Sequence, residues 1–173
     1  MLIEAGLLSS GVNVGASAVA GVALAFALYR APWSAWLADG ALVLAVLSYL
    51  GMAEWSLYGP NLLCMAVVPA LFTAWFHEQV HARLPHNYFI YFFITTFLGA
   101  ALAFNLAGLV RVALMAASGT LDAARAGPEY FAILPLMSFG EAVANGTIIG
   151  MAVVYRPKWV MSFDDRLYLA KGR

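Results

Sequence analysis

Two stretches of the 173-residue chain hold side chains that could do chemistry. The first is Glu141 with Asn145, inside the run "PLMSFGEAVANGTIIGMAVVYRP" from Pro135 to Pro157. Their spacing of four puts both on one face of a helix. A carboxylate there could bind a cation or carry a proton, and the amide could support it. The second is "HEQVH", residues 77–81. Two histidines one turn apart can hold zinc, with the glutamate as base. That chemistry needs a third protein ligand. Asp39 and His86 are the candidates, because Glu141 lies about 14 helical residues, near 21 Å, from that end. His77 and His81 are therefore weak metal candidates. The alternative is a polar ending for a membrane helix.

The elements that must position these groups are apolar. The chain is 64% hydrophobic and 10% charged, with mean hydropathy +0.84. A soluble domain carries about 25% charged residues. We read an all-α integral membrane protein, one bundle over residues 1–155 with an interfacial tail over 156–173. Five segments are long enough to span about 30 Å of hydrocarbon as helix. They run about Gly11–Tyr29, Ala35–Ala53, Leu57–Phe76, Tyr88–Val110 and Tyr130–Tyr155. Arg111 is expected to end the fourth, and Gly127-Pro128 to break the chain before the fifth. The N-terminal residues show no cleavable signal pattern. Cys64 is the only cysteine, which excludes an internal disulfide.

Arg30, Arg83, Arg156, Lys158, Arg166, Lys171 and Arg173 fall on one side of this arrangement, against Arg111 and Arg125 on the other. The richer side is expected to be cytoplasmic. The C-terminus is then inside, and five spans put the N-terminus outside, in a bacterial inner membrane. Glu141 and Asn145 straddle the bilayer middle. Asn61, Asn105 and Asn13 fall toward the outer side, so the buried polar groups suit a cavity open to the outside. Interhelical hydrogen bonding is the other use of such groups. Ala142, Gly146 and Gly150 form a small-residue stripe, as do Gly11, Gly15 and Ala18. Such stripes let another backbone approach, from this chain or from another subunit. Cys64, Met65 and Met137 are core filler or soft ligands. The tail "RPKWVMSFDDRLYLAKGR" suits the inner leaflet or a cytoplasmic partner. Zero net charge gives no reason to expect nucleic acid.

"LYGPNLLCMAVVPAL", "LPHNYFIYFF" and "FGEAVANGTIIGMAVVYRPKW" through "FDDRLYL" resemble the substrate-capture membrane proteins of cobalt and nickel energy-coupling-factor transporters. The opening "MLIEAGLL" is similar too, and the closer likeness is to a proteobacterial branch of permeases of that class. The resemblance implies capture of a divalent metal from outside, with a coupling membrane protein and an ATPase as partners. In that family the site uses the N-terminal amine, a histidine at position two, and further histidine and asparagine. Here position two is Leu2, and all histidines lie between His77 and His86. The Met1 amine and Asn61 are what carry over, and Glu141 matches a carboxylate position of the last span. The expected function is a transport-related membrane subunit, with Glu141, Asn145, Asn61 and Asn105 as substrate or partner contacts. The alternatives are an accessory subunit of a larger membrane complex and an intramembrane zinc enzyme. The first two involve no catalysis, and no cofactor is expected.

Overall fold

The computed structural model describes residues 58–119 and 123–169, with scattered positions between 38 and 50. The expected first span and Met1 lie outside the described residues, as does most of the second span. The described residues are all-helical, with no strand among them.

Helix α1 is built from three contiguous segments, Tyr58–Leu62, Leu63–Val67 and Val68–Arg83. The middle segment is π-helical, and the N–H of Val68 donates back five residues to the Leu63 carbonyl. Its cause is one residue further on. Pro69 has no N–H, and its ring crowds the carbonyl four residues before it. Widening the turn just ahead relieves that crowding without ending the helix. α1 therefore carries "HEQVH" as a direct continuation of the apolar segment and stops only at Leu84-Pro85.

Helix α2 begins π-helical over Ile90–Leu98 and continues as α-helix over Gly99–Ala117. Asn87 caps it, its side-chain oxygen accepting from the Phe89 N–H at 2.8 Å. Thr95 and Thr96 are buried, and the Thr96 hydroxyl donates to the Phe92 carbonyl. Such back-bonding satisfies a hydroxyl without a partner helix. Arg111 does not end this helix. Val112 to Ala116 are helix formers that carry it on until Gly119, whose φ of +70° is the left-handed conformation of a helix stop. Its N–H donates to the Ala116 carbonyl at 3.1 Å, and the Ser118 N–H to that of Leu114 at 2.9 Å.

Helix α3, Ala123–Tyr155, runs through both Pro128 and Pro135. The expected break at Gly127-Pro128 does not occur. Pro128 falls in the second turn, where its missing donor deprives one carbonyl close to the helix start. Beyond α3, a 3₁₀ turn at Pro157–Trp159 and a short helix α4 at Asp165–Tyr168 form the tail. Asp164 caps α4 by accepting from the Arg166 N–H at 2.9 Å.

Two described stretches are long and apolar enough to cross a membrane, Ile90–Ala117 and Phe131–Tyr155. α2 packs against both α1 and α3. The approach to α3 is close because of glycine. A Cβ on Gly150 would stand 2.7 Å from Cε2 of Phe92, and one on Gly146 3.5 Å from Cδ2 of Phe97. Two phenylalanine rings of α2 therefore lie over the small-residue stripe of α3. On the other flank a Cβ on Gly99 would stand 3.1 Å from Phe76 of α1. With lipid outside and protein inside equally apolar, such fitted contact is the main source of helix adhesion.

Gly150→Val is expected to destabilise the bundle by about 1–3 kcal/mol, the usual cost of overpacking. Gly140→Ala, where an added Cβ meets nothing within 4 Å, should change little. Thermal unfolding of both variants in mild detergent measures the difference.

Candidate functional site

The helices bring the polar residues together at two ends, with one pair between them. At the end holding the start of α1 and the end of α2 there is a cavity of about 590 Å³. Gly59, Pro60, Asn61 and Cys64 of α1 line it from one side, and Arg111, Met115 and Ser118 of α2 from the other. Asn61 and Cys64 are buried. Nη1 of Arg111 is also buried and donates no hydrogen bond among the described residues. The Ser118 hydroxyl donates to the Met115 carbonyl at 3.0 Å.

Between the ends lies the α3 pair. Leu134, Ser138, Ala142, Asn145, Gly146, Ile149 and Val153 are buried at helical spacing, so Asn145 belongs to the packed stripe. Asn145 is 1% exposed, and its amide donates to the backbone carbonyl of Glu141 at 3.0 Å. Glu141 sits half-buried at the edge of that stripe. Asn105, half-buried on α2, likewise donates to its own helix, to the Ala101 carbonyl at 2.7 Å. Both amides thus bond one turn back along their own backbones.

The opposite end collects all three histidines. His77 is 4% exposed, with its ring edge-on to Tyr91 at 6.1 Å between centroids. His81 and His86 are exposed, and their rings meet at 4.3 Å. The tail folds over this end. Tyr168 shares a hydrogen bond with Nδ1 of His81 at 3.2 Å. Ser162 and Tyr91 hydroxyls are 3.0 Å apart. Phe163 and Tyr168 stack on each other at 5.2 Å, and each ring lies 5.0 Å from that of Tyr91. Val160, Phe163 and Tyr168 are buried, whereas Trp159, Met161, Leu167 and Leu169 are exposed. One face of the tail therefore belongs to the bundle, and the other remains open to leaflet or partner.

His77 and His81 lie one turn apart with ring centroids 6.0 Å from each other, and Glu78 is exposed. Among the described residues no group of three or more His, Cys, Asp and Glu side chains could hold a metal ion. The geometry instead gives His77 a packing role and His81 a hydrogen bond to the tail. Partial loss of hydration, and next the nearby His86, push the mostly exposed His81 imidazole below its ordinary range. Sequence reasoning missed this docking and the burial of Nη1 of Arg111. The only local sign of the first was Asp164 before "DRLY", a cap for a short helix.

A histidine whose folded pKa is depressed favours its neutral form in the native state. Its contribution is present above the unfolded value, about 6.5, and is lost as pH falls. The tail is therefore expected to loosen as pH drops from about 7.5 toward about 5. Limited trypsin cleavage at Arg166, corrected for protease activity with a reference substrate, measures this. His81→Gln should flatten the response. Phe163→Ala should raise the cleavage rate at neutral pH by about tenfold or more, as deletion of a buried ring loosens what it anchors. Leu169→Ala, at an exposed position, should not.

A family model described as the cobalt uptake substrate-specific transmembrane region (CbiM) matches residues 19–159 of this chain. The chain belongs to that family, whose members are cobalt-uptake membrane components of energy-coupling-factor transporters. No curated protein and no solved structure matches it. The match supports neither the accessory-subunit reading nor the zinc enzyme.

Proposed function

We propose that this member of the cobalt uptake family is a metal-handling membrane subunit of a divergent branch. It takes a divalent metal or small cation from the outer side and works with a coupling membrane protein and an ATPase. The observation that carries the reading is the family match over residues 19–159, which covers both described apolar spans. The divergence rests on Leu2 in place of the family's histidine, and on the histidines all lying between 77 and 86. An amine with an imidazole suits nickel-like metals, so a site that lacks the imidazole is less selective.

The chain crosses a bacterial inner membrane five times in this proposal, with the N-terminus outside. Arg83, Arg156, Lys158 and Arg166 support it. All four fall at the histidine end, opposite Arg111. Glu141 is assigned to the cation path, with Asn145 and Asn105 as supporting contacts, whereas Asn61, which lines a cavity with Arg111, is assigned to partner contact and not to the bare cation. A carboxyl group in the apolar core is costly and is kept mostly where it contacts substrate or partner.

Cobalt accumulation in cells expressing the chain with its coupling protein and ATPase tests the reading. Accumulation is expected to require all three, and equal accumulation without this chain would overturn it. Glu141→Gln should leave expression and melting temperature unchanged and lower uptake by at least about tenfold, the scale of losing one charge contact. Full uptake in that variant would assign Glu141 to packing. A C-terminal phosphatase fusion should be inactive outside the cell, and an active one would reverse the orientation.

A further inference from the structure

We propose that the cavity between the start of α1 and the end of α2 is an oxyanion site, anchored by Arg111. This goes beyond the transport reading and does not depend on it.

Three observations carry it. First, the cavity's volume of about 590 Å³ is in the range of small-molecule sites. Second, its described lining holds one permanently charged group, the guanidinium of Arg111, and neither carboxylate nor imidazole. The remaining lining is apolar or neutral, with the Asn61 amide and the Ser118 hydroxyl as its other polar side chains. Third, Nη1 of Arg111 is buried without a hydrogen-bond acceptor among the described residues. A buried donor left unmade is costly, and more so when it is charged.

These features select the ligand's charge. Guanidinium offers five N–H donors in a planar fork that fits carboxylate or phosphate with two parallel bonds. Apolar walls lower the local dielectric, which strengthens attraction to an anion and repulsion of a bare divalent cation alike. A bare metal beside the guanidinium is therefore disfavoured unless it arrives with its own anionic ligands. The shared chemistry is a carboxylate or phosphate oxygen pair on Arg111. Two sources supply it, a soluble anion and the phosphate of a lipid headgroup.

The test uses the full chain in nanodiscs. In phosphatidylcholine discs, citrate and inorganic phosphate are titrated calorimetrically into wild type and Arg111→Gln. In discs mixing phosphatidylcholine with phosphatidylglycerol, lipid retained after exchange into detergent is identified by native mass spectrometry. Citrate or phosphate binding that weakens about tenfold or more in Arg111→Gln supports a soluble oxyanion. Selective retention of phosphatidylglycerol by wild type, lost in the variant, supports the same site with lipid as the source. Identical behaviour of the two proteins in both arms overturns the proposal. If Arg111→Gln does not fold, salt dependence of the wild type decides. Binding should weaken severalfold between about 50 and about 500 mM NaCl, because added salt shortens the reach of the guanidinium charge. Salt-independent binding overturns the proposal. Uptake of cobalt is not read in either arm, so the outcome leaves the transport reading to its own test.

Discussion

The ring of Tyr91 is the contact on which the rest of the described structure depends. It is 1% exposed and lies at the first turn of α2. His77 of α1 meets it edge-on, and Phe163 and Tyr168 of the tail pack against it. Its hydroxyl reaches Ser162. The same core cluster includes Ala100 and Ala103 of α2 and Ile149 and Val153 of α3. One side chain thus joins α1 and α2 to the tail, within a core cluster that α3 shares. A phenol suits this position, because its ring can be buried while its hydroxyl still finds a partner.

From that node the two halves of the bundle differ in how they adhere. Toward α3, contact is apolar and fitted, with Phe92 and Phe97 over Gly146 and Gly150. At the histidine end, contact is aromatic and hydrogen-bonded, and it includes an exposed titratable ring, His81. The first kind responds to side-chain volume and hardly to pH. The second responds to protonation. The difference follows from placement, since polar contacts at the water-facing end are open to titration while those in the apolar middle are not.

The polar groups of the middle show how a helix keeps amides in an apolar setting. Asn105 and Asn145 each donate to a carbonyl four residues back. Each amide makes one bond within its own helix, which lowers the cost of burial without committing it to a neighbour, while Oδ1 of Asn145 is buried and accepts no hydrogen bond among the described residues. Arg111 differs. It is too long and too strongly charged to be satisfied by its own backbone, so it stands at the edge of a cavity. An arginine near a helix end can keep its head at the polar boundary while its stem covers apolar surface.

Much of the local structure was legible in the residues. Membrane character, the apolar stretches around 88–110 and 130–155, and the shared face of Glu141 and Asn145 are local properties of hydropathy and of a 3.6-residue turn. The glycine stripe at 146 and 150 was legible too, although what it receives was not. The stops were less so. Arg111 and Pro128 read as boundaries, yet the helices pass through both. A charge ends a span only where it meets water, and a proline breaks a helix only where the lost bond matters. Both conditions depend on position in the folded chain. The same holds for "HEQVH". Its spacing alone makes His77 and His81 equivalent, but tertiary structure buries one against Tyr91 and ties the other to Tyr168, 87 residues away. A local pattern determines which side chains share a face. Only the packing of distant segments decides which of them is covered, and by what.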